Sequence, residues 1–116
     1  MLKTITGEEL FRRIHSPNPP VVLEALPERY YAQKHVPSAR LFPHDQVEQL
    51  APLVVPDKSE QVVVYCASRT CQNSHIAAHH LLRLGYADVF VYEGGKQDWE
   101  QSGLPFETAT GAALVA

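Results

Sequence analysis

Leu10, Phe11 and Ile14 stand three and four residues apart in a stretch that is otherwise charged, which is the spacing of one helix face. Just before them, Thr6-Gly7-Glu8-Glu9 has the form of a capping box. There the Thr6 hydroxyl and the Glu9 carboxylate each take a backbone N–H left free at a helix start, so a first helix is expected to begin here. Ser16-Pro17-Asn18-Pro19-Pro20 ends it, because its prolines lack the N–H donor, and Val21-Val22-Leu23 follows as a strand apolar on both faces. A short helix is expected at Glu28 to Gln33, and a brief extended piece at Arg40-Leu41-Phe42. A further helix is expected from Asp45, a good N-cap, through Leu50, with Pro52 and Pro56 as breaks. Gln61-Val62-Val63-Val64-Tyr65 is the clearest strand, β-branched through its centre. From about Asn73 to Leu84, the residues Ile76, Ala77, Leu81 and Leu84 share a helix face, and Gly85 supplies the stop. Val89 to Tyr92 is another strand. Gly94-Gly95 allows a tight turn into a short helix around Trp99, read as a core anchor, which Gly103 and Pro105 end.

Strands that alternate with helices imply an α/β domain whose central, largely parallel sheet carries helices on both faces. The 116 residues suffice for one core, expected over residues 1–106, with Glu107 to Ala116 as a loosely held tail. A net charge of −3 leaves no strong electrostatic footprint for nucleic acid or an anionic membrane, and neither is expected as a partner. No apolar run approaches the roughly 20 residues that span a bilayer, and Met1 to Thr6 lacks the apolar stretch of a signal peptide, so the expected location is the cytoplasm.

Two cysteines make no disulfide framework, but a close pair in a reducing compartment points to redox or nucleophilic chemistry, or to metal binding. Cys66 stands at the carboxyl end of a strand, where ligands bind in parallel α/β sheets, and a polar loop and a helix start follow it. Backbone N–H groups and a helix dipole directed at the sulfur predict a stabilised, reactive thiolate, and the small polar run Ala67-Ser68-Arg69-Thr70 predicts exposure. The alternative is a buried structural cysteine.

The chain resembles the rhodanese-like family of single-domain sulfurtransferases from about Thr4 to Phe106. The resemblance rests on Val62-Val63-Val64-Tyr65-Cys66, on Ser74 with Ala77-Ala78 and Leu81, on Gly85-Tyr86, and on Gly94-Gly95, Trp99, Gly103 and Pro105. Tyr31-Ala32 with His35-Val36-Pro37-Ser38-Ala39 is similar to a further family signature. It implies a single rhodanese-like domain in which Cys66 carries a persulfide, taking a sulfane sulfur from a small anionic donor such as thiosulfate and passing it to cyanide or a thiol, with a sulfur-acceptor protein as a possible partner. Amides of Ala67, Ser68, Arg69, Thr70, Cys71 and Gln72 are then the expected cradle for the anionic sulfur, and the Arg69 charge would draw in the donor. No cofactor or metal is implied. The chain departs from the family at Glu24-Ala25-Leu26, where Asp-x-Arg is usual, and at Lys34 and Ser38, which replace glycines. Its loop is two residues longer, with Ser74 eight positions after Cys66 and Cys71 five after it, where the shorter loop carries an arginine.

Cys71 has three readings: a thiol that resolves oxidised Cys66 as a disulfide, a donor in an internal sulfur relay, or a small residue in a rearranged loop. The first two make the chain a two-cysteine redox or relay protein; a non-catalytic rhodanese-like binding module is a further alternative. Cys66, Cys71, His75 and His79 can be written as a zinc set, but the three residues between Cys71 and His75 are too few for zinc-finger spacing, and solvated helix histidines, His80 included, are the preferred reading. His35 is read as a loop tie rather than a catalytic base. A phosphatase needs an arginine six positions after the nucleophile to clamp phosphate, and that position is Gln72.

Overall fold

Five short strands pair in parallel to make the sheet that organises the molecule: β1 (Lys3–Thr4), β2 (Val21–Glu24), β3 (Arg40–Leu41), β4 (Gln61–Tyr65) and β5 (Asp88–Tyr92), in the order β1-β5-β4-β2-β3. The computed structural model describes residues 2–108 and a strand at Ala113–Leu114. Side chains alternate across a strand, and in β4 that rule sorts the core into two layers. Val62 and Val64 join Leu23, Ala77, Leu81 and Val91 on one face, while Val63 and Tyr65 join Leu10, Tyr92, Trp99 and Phe106 on the other. Helices α1 (Gly7–Ile14) and α5 (Gly95–Gln101) contribute to the second layer, and α3 (Val47–Val54) and α4 (Asn73–Arg83) to the first. The short α2 (Glu28–Gln33) buries none of its residues. Among the described residues no helix is long and apolar enough to cross a membrane.

Most boundaries fall where the sequence predicts them, and four details differ. Thr6 caps α1 by accepting from the Glu9 N–H at 3.1 Å, but the Glu9 carboxylate pairs with Arg12 and Arg13 instead of completing the capping box. The third helix starts at Val47 rather than after Asp45 and runs through Pro52 to Val54; the carbonyl that proline leaves without a helical donor belongs to the exposed Glu48. Ile76 is 49% exposed, whereas Ser74 and Ala78 take the buried positions beside Ala77 and Leu81. The sequence also gave no sign of β1, two exposed residues defined only by pairing with β5.

Of the expected tail, Glu107 lies in β6 (Phe106–Glu107), which pairs antiparallel with β7 (Ala113–Leu114). Residues 109–112 and 115–116 of that segment lie outside the described residues. His35 is bound on three sides. It exchanges both backbone hydrogen bonds with Glu107 at 2.8 Å, its Nδ1 meets the Tyr31 carbonyl at 2.9 Å, and its ring stacks on Tyr31 at 3.9 Å. It therefore ties loops together, as expected.

Candidate active site

β4 ends at Tyr65, so Cys66 is the first residue beyond the sheet, and the chain from Ala67 to Gln72 arches back before α4 begins at Asn73. Two backbone contacts from α5 fix the start of this arch: Lys96 N–H donates to the Cys66 carbonyl at 3.0 Å and Gln97 N–H to the Ala67 carbonyl at 2.9 Å. Glycine is required where the two segments meet. Gly95 has φ +64°, and a Cβ there would stand 2.5 Å from the Cys66 carbonyl oxygen and 2.9 Å from the Ser68 nitrogen. Farther along, Cys71 N–H donates to the Ser68 carbonyl at 3.1 Å, and Ser68 and Thr70 hydroxyls meet at 3.1 Å.

The Cys66 side chain is not the exposed thiolate the sequence predicts. The residue is 1% exposed, and its Sγ lies 3.4 Å from both the Cys71 carbonyl oxygen and the Ser74 hydroxyl. Burial pushes the thiol pKa up to about 11, and a hydrogen bond with the Cys71 side chain adds to the rise. The Ser74 hydroxyl and backbone N–H act in the opposite direction. A thiol has one proton and a carbonyl oxygen only accepts, so the Cys66 thiol donates to the Cys71 carbonyl, which leaves the Ser74 hydroxyl to donate to sulfur. The α4 amides do serve the sulfur, through Ser74, but desolvation outweighs them. Both cysteines are free thiols, Cys66 buried and Cys71 partly exposed.

Of the other residues expected in the cradle, Ala67, Arg69, Thr70 and Gln72 are exposed and Ser68 is half-buried. The Arg69 guanidinium has 73% of its side chain in solvent and stands 3.9 Å from Glu93, whose other carboxylate oxygen meets His75 Nε2 at 3.1 Å. Glu93 was not anticipated; it gathers Arg69 and His75 at the rim of the loop.

Beneath the loop lies a charged network that the sequence reading missed. Glu24 is fully buried at the end of β2, accepts from the Tyr65 hydroxyl at 2.6 Å, and forms an ion pair with Lys96 at 2.9 Å. Tyr65 Oη also accepts from the Val36 N–H at 3.0 Å. Desolvation raises the Glu24 pKa and lowers that of Lys96, because burial disfavours either charge, and their mutual attraction opposes both shifts. A carboxylate closing an apolar strand was the available signal, but its partner is far away in sequence. Among the described residues no group of three or more His, Cys, Asp or Glu side chains is placed to hold a metal ion.

A family model for the rhodanese-like domain matches residues 6–102. The chain belongs to the rhodanese-like domain family. A rhodanese from E. coli, solved with anions, is 28% identical to this rhodanese-like domain over 78% of the chain and 99% of its own length, with a TM-score of 0.65. The fold is also shared with a thiosulfate sulfurtransferase from Pseudomonas aeruginosa, at 24% identity and TM-score 0.82. That match covers 91% of this rhodanese-like domain and 20% of the larger protein. A protein from Bacillus halodurans matches at 20% identity and TM-score 0.83, over 94% of this chain and 79% of that one.

Proposed function

We propose that this rhodanese-like domain is a sulfurtransferase in which Cys66 carries the sulfur. The observation that supports this most directly is the setting of Cys66: a thiol at the carboxyl end of the central strand, with the hydroxyl and N–H of Ser74 turned to its sulfur. In the first step the Cys66 thiolate attacks the outer sulfur of a small anionic donor such as thiosulfate; the donor S–S bond breaks, and sulfite leaves with the electron pair. Cyanide or an acceptor thiol, free or on a partner protein, then takes the sulfur from the persulfide. The terminal persulfide sulfur is anionic, and amides of the Ala67 to Gln72 arch are its proposed cradle.

A thiol with a pKa of about 11 is ionised in roughly one molecule in ten thousand at pH 7, so the resting site is not the reactive one. The arch from Ala67 to Gln72 has to shift to admit the donor, and shifting it breaks the contact with the Cys71 carbonyl that holds the proton. The same burial favours a second reading, a non-catalytic rhodanese-like module whose cysteine serves packing. A thiosulfate:cyanide assay separates the two. The sulfurtransferase reading expects thiocyanate from the native protein and none from Cys66→Ser, with circular dichroism unchanged. No turnover by the native protein, with any of several anionic sulfur donors, would favour the module.

A further inference from the structure

The second cysteine of the loop stands against the first, its backbone carbonyl in contact with the Cys66 sulfur. Cys71 follows Cys66 by five residues, yet the arch turns so tightly that the Cys71 carbonyl accepts from Cys66 Sγ at 3.4 Å. The turn is fixed by the Cys71 N–H to Ser68 carbonyl bond at 3.1 Å and, on the far side, by the start of α4 at Asn73. Cys66 is 1% exposed and Cys71 is partly exposed, so an external thiol must displace the arch to reach Cys66, whereas Cys71 is itself part of that arch.

We propose that Cys71 is the resolving thiol of the Cys66 persulfide, expelling the transferred sulfur as sulfide and closing a Cys66–Cys71 disulfide that an external dithiol reopens. This rests on the reading of Cys66 as the persulfide carrier. The Cys71 thiolate attacks Cys66 Sγ; a Cys66–Cys71 S–S bond forms, and the bond from Cys66 Sγ to the terminal sulfur breaks. The terminal sulfur leaves with the electron pair and takes up the proton that Cys71 gave up, departing as hydrosulfide. The sulfane sulfur is the oxidant and is reduced to sulfide, while the two protein thiols are oxidised to the disulfide. Starting from thiosulfate, the sum is thiosulfate plus two thiols giving sulfite, hydrogen sulfide and a disulfide. A dithiol reductant then supplies two electrons and two protons by exchange at Cys71, the more accessible sulfur of the pair. The activity added to sulfur transfer is thus a dithiol-dependent release of sulfide. Holding the attacking thiol in the same loop gives it an effective concentration that free thiols do not match.

The test mixes pre-reduced protein with thiosulfate anaerobically, without added thiol, and reads intact mass and released sulfide for the native chain and for Cys71→Ser and Cys71→Ala. The proposal expects the native chain to release one equivalent of sulfide and to lose about 2 Da, the mass of two hydrogens given up in a disulfide. Both variants should instead gain about 32 Da, one sulfur atom, and release sulfide only when a dithiol is added. A native chain that keeps the sulfur adduct and releases no more sulfide than the variants overturns the role of Cys71 and leaves Cys66 as the carrier. Failure of all three proteins to gain sulfur or release sulfide overturns the persulfide reading itself, and the proposal with it.

Discussion

At Cys66 two hydrogen-bonding groups pull the same proton in opposite directions, and substitution separates them. The Cys71 carbonyl accepts from the thiol and so favours the protonated form, while the Ser74 hydroxyl donates to sulfur and favours the thiolate. Burial raises the pKa more than any contact does, the Cys71 side chain adds to it, and the balance stands at about 11, above the ordinary cysteine value of about 8.5. Alkylation by iodoacetamide, followed residue by residue by peptide mass spectrometry, should therefore give Cys66 a rate that keeps rising with pH to about 11, slow at neutral pH. Ser74→Ala removes a group that lowers the pKa, so its profile should move to still higher pH and its rate at pH 8 should fall. A Cys66 profile with a midpoint near 8 would mean that the arch stands open in solution. Arg69 has no part in this balance: its charge faces Glu93 and solvent.

Between elements, the strongest constraint on the site is the Glu24, Tyr65 and Lys96 network, which joins the ends of β2 and β4 to the first turn of α5. The same Lys96 supplies the N–H bound to the Cys66 carbonyl, so its side chain and backbone together lock α5 to the loop. With Glu24 fully buried and the Lys96 side chain 12% exposed, Lys96→Met leaves a carboxylate buried without its counter-charge, which costs about 3–5 kcal/mol. The sign with pH follows from the raised pKa of Glu24. Its neutral form suits the folded state, so this cost is smallest below the unfolded carboxyl value of about 4.3 and grows as pH rises towards the folded value. Urea denaturation at pH 5 and pH 8 should show Lys96→Met losing more stability at pH 8, and Glu24→Gln with Lys96→Met recovering much of it. Equal losses at both pH values would show that Glu24 is solvated. This network was out of reach of the sequence because its members touch across 72 positions, whereas the helices and strands were legible wherever punctuation is local. Pro19-Pro20 before β2 and Gly85 at φ +98° after α4 act on their own neighbours. The position of Cys66 at a strand end was legible for the same reason. Its protonation was not, because that depends on an arch folding over the sulfur.

Across the whole molecule, the segment Phe106–Glu107 returns to the loop between α2 and β3, and truncation on either side of Glu107 tests where the domain stops. Glu107 exchanges two backbone hydrogen bonds with His35, and its Oε1 accepts from the Ser38 N–H at 3.1 Å. Ser38 itself has φ +71°, a left-handed conformation that costs a non-glycine residue energy, so the contact holds a strained turn in place. Next to it Phe106 is 2% exposed, and the Trp99 indole N–H donates to the Pro105 carbonyl at 2.8 Å. A boundary at Phe106, the one read from the sequence, keeps the buried aromatic but removes all three contacts made by Glu107. Each is worth roughly 0.5–1.5 kcal/mol net, so loss of these three bonds alone should make a chain ending at Phe106 about 1.5–4.5 kcal/mol less stable than one ending at Thr108. Both truncations remove β7, so the difference isolates Glu107 and Thr108. Urea midpoints measured side by side give the difference directly, and Glu107→Gln in the full chain should lose less than the truncation because it keeps the two backbone bonds. Equal midpoints for the two truncated chains would place the boundary at Phe106 and make the pairing with His35 incidental to stability.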